Sequence, residues 1–167
     1  APSSNYAMEL KVAVFETSVF DPESSNAAVK ELPQITTTSG GPDTSVNHYS
    51  IIADHQYFVR NVGNNRYMYV NGSSLAFATS VPESNYKNYL WVFSDNSSGT
   101  IRNVGTGLYL RRSSTSLSLN ANVNNAETFA FGSYNQTTWF RSSYTGSNYK
   151  YFLANSGNSP ALTRGSR

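Results

Sequence analysis

Arg60-Asn61-Val62-Gly63 recurs as Arg102-Asn103-Val104-Gly105, 42 residues further along the chain. The match runs on without a gap. Tyr67-Met68 falls on Tyr109-Leu110, Leu75 on Leu117 and Phe77 on Leu119, so apolar positions coincide over eighteen residues. A third copy starts at Trp139-Phe140-Arg141, 39 residues after Arg102. After a three-residue insertion it carries Tyr151-Phe152 and Asn155-Ser156-Gly157, read as the counterparts of Tyr67-Met68 and Asn71-Gly72-Ser73. Self-similarity at a period near 40 residues marks an array of one supersecondary unit.

Each copy reads as strands. Tyr67–Val70 and Leu117–Leu119 alternate with period two, and Asn71-Gly72 and Gly157-Asn158 between them are turn pairs that tolerate positive φ. A further strand precedes each arginine: Tyr89–Phe93 before Arg102, Glu127–Phe131 before Arg141 and His48–Ile52 before Arg60. The third copy ends near Arg164 without such a strand, so the segment at 48–52 is expected to close the set. Three four-stranded units over 47–167 predict an all-β chain with the β-trefoil architecture, a six-stranded barrel capped by three hairpins. Closure would remove exposed strand edges, and a propeller needs at least four blades.

Residues 1–46 match none of the units and are expected to be an arm packed on the barrel or the tail of a preceding domain. Within them Met8–Phe15 reads as one strand, Ala27–Leu32 as a short helical turn ending at Pro33, and Gly40-Gly41-Pro42-Asp43 as a linker. Charge divides in the same way: residues 1–55 hold seven acids and two bases, the remainder three acids and ten bases. Regions of unlike charge suggest unlike histories.

Ser, Thr and Asn make up about a third of the 167 residues, and only 13% are charged, against roughly 25% in an average soluble protein. Such a surface suits export and the binding of polar, uncharged ligands. The start, Ala1-Pro2-Ser3-Ser4, has neither an initiator Met nor signal-peptide regions, and a secreted, extracellular protein is expected. With no cysteine there is neither a disulfide nor a thiolate metal site. No apolar run nears the 18 or so residues of a membrane span, and no membrane partner is expected.

Catalytic motifs do not emerge. His48 and His55 flank Asp54, which would make a metal site only if all three converged, and no metal or cofactor is expected. Within the repeats the only carboxylates are Glu83, Asp95 and Glu127, too sparse for paired-acid glycoside chemistry. Phosphate loops, HExxH and GxSxG are absent. Basic and aromatic residues interleave in Arg66–Tyr69, Tyr109–Arg112 and Tyr149–Phe152, as in single-strand binders. They recur on one strand of each unit, where alternate residues must face the core, so no nucleic acid is expected. Asn-x-Ser/Thr sequons at Asn71, Asn96 and Asn135 are expected by chance in so asparagine-rich a chain.

The stretch Arg102–Leu110 followed by a hairpin, an asparagine and an aromatic strand resembles the ricin-B-type (R-type) lectin trefoils, over about residues 47–167. That resemblance implies a sugar-binding module. The family's Gln-x-Trp is represented by Asn88-Tyr89-Leu90-Trp91, which keeps the Asn and Trp, whereas Ala126-Glu127-Thr128-Phe129 and Asn47-His48-Tyr49-Ser50 have drifted. The positions matching its sugar-gripping Asp are Tyr69, Arg111 and Leu153, and none is acidic. A carboxylate there would accept two hydroxyl protons in charge-assisted bonds, so the usual pocket is absent or rebuilt.

The first unit is the best remaining candidate. Tyr69 and Tyr86 would stack on a pyranose ring, and Asn88 and Asn71 would offer a donor and an acceptor to its hydroxyls. The expected function is a non-catalytic carbohydrate-binding, lectin-like module of a secreted protein, with a glycan or polysaccharide as partner. Its alternative is a protein-interaction or structural trefoil, with a protein partner or an attached catalytic domain. Protease inhibition is a third reading, for which no reactive loop is identified.

Overall fold

The computed structural model describes residues 3–12, 15–20, 31–35, 37–38, 41–42, 44, 47–48 and 51–165. The chain is all-β, as the period-two alternation requires. Its first strands are β1 (Met8–Val12), β2 (Phe15–Phe20), β3 (Glu31–Ile35), β4 (Thr37–Thr38), β5 (Gly41–Pro42) and β6 (Asn47–His48). The first repeat contributes β7 (Gln56–Asn61), β8 (Arg66–Asn71), β9 (Ser74–Ala78) and β10 (Leu90–Phe93). The second contributes β11 (Ser98–Gly99), β12 (Ile101–Asn103), β13 (Tyr109–Ser113), β14 (Ser116–Asn120) and β15 (Phe129–Tyr134). The third contributes β16 (Thr137–Ser142), β17 (Tyr151–Ser156) and β18 (Ser159–Arg164). Fourteen of these strands form one antiparallel sheet, while β2 pairs with β3 and β4 with β5 in two separate ribbons. Among the described residues no helix is long and apolar enough to cross a membrane.

The register repeats three times. Met8 stands opposite Asn61, Trp91 opposite Asn103 and Phe129 opposite Ser142. The same three residues face Thr138, Tyr57 and Gly99 on their other edges. Arg60 pairs with Tyr67, Arg102 with Tyr109 and Arg141 with Phe152. Side chains at equivalent positions share the core: Met8, Trp91 and Phe129; Val59, Ile101 and Phe140; Met68, Leu110 and Leu153, each fully buried. Burying a side chain of this size contributes roughly 1.5–3 kcal/mol. The indole N–H of Trp91 would be an orphan donor there, and it is satisfied by the Met68 carbonyl at 2.9 Å.

Four expectations are corrected. The strand beside β7 and β16 is Met8–Val12, not 48–52: Asn47-His48 pairs with Lys11 and Leu10 instead, and Ile51-Ile52 forms no strand, while 49–50 lie outside the described residues. Alternation explains the choice, since Met8 and Leu10 reach the core at 0% and 1% exposure. Residues 8–12 therefore lie in the same sheet as the repeats. Leu32 and Pro33 belong to β3, where Pro33 faces Ser18 in a two-stranded ribbon, an edge that tolerates the missing N–H; residues 27–30 lie outside the described residues. Gly41-Pro42, expected in a linker, pairs with Thr37-Thr38. The third copy is displaced by one residue: Phe152, not Tyr151, is the counterpart of Tyr67, so Ala154, not Leu153, matches Tyr69.

The hairpin turns also differ in type. Asn71 ends β8 opposite Ser74, leaving Gly72-Ser73 as the two-residue loop. Gly72 has φ +65°, and its counterparts Ser114 and Gly157 have +54° and +66°. A positive φ at the first loop residue alone is the type II′ pattern, whereas an Asn-Gly loop favours I′. The I′ pattern occurs at Asn135-Gln136, between β15 and β16, where both φ values are positive (47° and 66°).

Candidate functional site

The site grows from one buried asparagine. Asn103 ends β12 fully buried, and its amide must be satisfied inside the protein. Its Nδ2 donates to the carbonyls of Asn88 (2.8 Å) and Leu90 (3.4 Å), while its Oδ1 accepts from the Thr106 amide (3.1 Å) and hydroxyl (3.0 Å). This couples the Arg102–Gly107 loop to the 3-10 turn Tyr86–Tyr89 that leads into β10. Two backbone bonds finish the clamp: Val104 N–H to Leu90 O and Gly105 N–H to Lys87 O, both 2.9 Å. Gly105 is required by close approach, because a Cβ there would overlap the Asn88 Oδ1.

Between loop and turn lies a cleft of about 380 Å³, lined by Ser84, Asn85, Tyr86, Lys87, Asn88 and Gly105. Tyr86 and Asn88, two of the four sequence candidates, both face it. The half-buried Tyr86 rests on an apolar cluster of Phe58, Tyr67, Val81, Tyr89 and Leu90. The lining offers amide and hydroxyl donors and acceptors, one ring and one ammonium. Such a mixture offers a ligand hydrogen bonds of both senses, an aromatic face and one positive charge.

The other two candidates lie elsewhere. Tyr69 joins the same apolar cluster, but its ring stacks on Tyr89, with centroids 4.4 Å apart and planes 5° from parallel. One face of Tyr69 is thus spent on the protein. Burial pushes the Tyr89 phenol above its usual range, and neighbouring Tyr69 adds to the effect. Asn71 is exposed at the β8–β9 turn and does not line the cleft. Lys87 and Gly105 were not singled out from sequence; the RNVG repeat, with its glycine opposite the Asn88 turn, was the available signal.

The equivalent joint differs in each unit. Tyr6, Tyr89 and Glu127 each stand two residues before the paired core residue, and each grips a hairpin. Tyr6 stacks on Phe152 (4.2 Å, 9°), Tyr89 on Tyr69, and Glu127 binds Arg112 at 2.8 Å. Buried Glu127 also accepts from the Ser142 and Ser143 hydroxyls and the Thr128 amide. Ser142 takes the place of Asn61 and Asn103, so in this unit a carboxylate with a hydroxyl replaces an amide. Asn61 keeps the amide pattern, its Nδ2 donating to Asn5 O at 2.8 Å. The register makes Tyr69, Arg111 and Ala154 equivalent, and none of the three is an acceptor carboxylate.

Asp54 and His55 are exposed in the loop before β7, and the side chain of His48 lies outside the described residues. Among the described residues no three His, Cys, Asp or Glu side chains are grouped to hold a metal ion. Set against family models, curated proteins and solved structures, the chain matches none of them.

Proposed function

We propose that this chain is a secreted β-trefoil acting as a non-catalytic carbohydrate-binding module, with its ligand held in the cleft between residues 84–88 and Gly105. The trefoil reading is supported by the threefold register, and by β11 and β12 being separated by Thr100 alone. Counted as one strand, they join β1, β7, β10, β15 and β16 in a run of antiparallel neighbours that returns to β1. The observation that carries the binding reading is the pairing of Tyr86 with Asn88 in one open polar cleft, positioned by the Asn103 amide. A pyranose would lay its C–H face on Tyr86 and exchange hydroxyl bonds with Asn88 and the neighbouring backbone. With a single ring and no acidic acceptor, affinity falls in the micromolar to millimolar range, about −8 to −4 kcal/mol.

Calorimetry and glycan arrays over neutral sugars and polysaccharides test this reading. Binding that falls at least tenfold in Tyr86→Ala and in Asn88→Ala supports it, and silence across both platforms contradicts it. A second reading, a protein-interaction or structural module, is favoured by the Tyr69–Tyr89 stack, which commits a predicted sugar-facing ring to packing. A pulled-down protein partner that survives excess sugar would favour that second reading.

A further inference from the structure

The three units place an arginine at the same register, and each unit treats it differently. Arg60 faces Glu9 across β1 and β7 and forms an ion pair with it. Arg141 faces Ala130, and its guanidinium lies 6.0 Å from the centroid of the Trp139 ring. Arg102 faces Val92 and is exposed, and among the described residues it has neither a carboxylate nor a ring against its guanidinium. Where Glu9 fills the first unit, the second has a pocket of about 150 Å³. Its lining includes Val92, Arg102, Asp54, Thr100, Tyr109 and Val123. Asp54 forms no ion pair with Arg102 among the described residues.

We infer that this pocket is a second ligand site, separate from the 84–88 cleft, and that it takes the carboxylate of an acidic sugar such as a uronate. The fold itself shows what this arginine position binds: in the first unit a carboxylate sits on it, supplied by the chain. In the second unit Val92 stands where Glu9 stands in the first and Asp54 is not paired with the guanidinium, which leaves the arginine fork open to a ligand carboxylate. The rest of the lining narrows the class. Asp54 accepts hydroxyl protons, and its own charge limits the negative charge the pocket tolerates, which disfavours multiply charged ligands such as phosphate dianion and polyacidic peptides. Tyr109 and Val123, the latter 51% exposed, give a ring's C–H face an apolar surface. One negative charge with several hydroxyls is the chemistry of a uronic acid.

The test is a titration of the full chain with sodium glucuronate at constant ionic strength, followed by backbone amide resonances. Glucose, inorganic phosphate and a tetraglutamate peptide are run in parallel. The expected result is shifts at Asp54, Val92–Ser94, Thr100–Arg102 and Tyr109, with glucose at least tenfold weaker than glucuronate. Arg102→Gln should weaken glucuronate at least tenfold. Val92→Glu should block it too, by supplying the internal carboxylate that Glu9 supplies in the first unit, with a melting temperature no lower than the parent's. Tyr86→Ala should leave glucuronate binding intact, so failure of the cleft and failure of this site are distinguishable. Undiminished binding in Arg102→Gln or Val92→Glu overturns the inference. So does tighter binding of phosphate or the peptide, or a response confined to residues 84–88.

Discussion

Met8 lies directly opposite Asn61 across two antiparallel strands, and the buried Asn61 amide comes within 3.6 Å of the Met8 sulfur. Fifty-three residues separate them in sequence. Met8→Ala therefore opens a cavity in the shared core and should destabilise the whole domain by about 2–5 kcal/mol. Urea denaturation followed by Trp fluorescence measures this. A loss below about 0.5 kcal/mol, typical of surface positions, would mean the segment is a dispensable arm.

Trp91 occupies the place in the second unit that Met8 occupies in the first, and its N–H is bonded to Met68 O. Trp91→Phe shrinks the ring and leaves that buried carbonyl short of a partner, at a cost of about 1–3 kcal/mol for the lost bond alone. Thermal melts compared with Trp139→Phe check the effect. Trp139 is only half-buried and should tolerate the change better.

Ser114 holds φ +54° where the equivalent turn residues are Gly72 and Gly157. A side chain in that region costs about 1 kcal/mol or more, and glycine at that position is free of the penalty. Ser114→Gly should raise stability by about 0.5–1 kcal/mol, read as an increase in denaturation midpoint at constant slope. Gly72→Ala should lower it although nothing crowds the site, because the penalty is in the backbone.

The Asp95 carboxylate accepts from the Ser97 amide at 3.0 Å, and that backbone bond holds its pKa below the ordinary value. A depressed folded-state pKa gives stability that is present above the unfolded value near 3.8 and lost as pH falls through the folded value. Asp95→Asn should accordingly lie furthest below the parent in melting temperature near pH 6, with the gap closing as pH falls below the unfolded value near 3.8. A gap that stays constant with pH would show that the carboxylate charge is not what orders the 94–100 turn.

The strands of the repeats were legible because RNVG and the alternating Tyr-Met and Tyr-Leu pairs carry both turn chemistry and core pattern. The place of Met8–Val12 was not. Asn5-Tyr6-Ala7-Met8 echoes Asn88-Tyr89-Leu90-Trp91, but Met8 stands 52 residues before Arg60, whereas Trp91 stands 11 before Arg102. That longer spacing hid the likeness, and the nearer 48–52 offered a plausible decoy. The one-residue slip in the third copy has a similar cause, since Tyr151-Phe152-Leu153 presents three consecutive apolar positions and only pairing chooses among them. At the site, Tyr86 and Asn88 were legible as neighbours on one turn. The fate of Tyr69 was not, because its stacking partner Tyr89 arrives only when the chain folds back from β9.

The proposed trefoil rests on β1 lying between β7 and β16, and backbone NOE spectroscopy tests that placement most directly. Cross-strand contacts from Met8 to Thr138 and from Leu10 to Val59, with slow amide exchange along 8–12, are the expected result. Contacts from 49–52 to Thr138, with rapidly exchanging amides at 8–12, would contradict it.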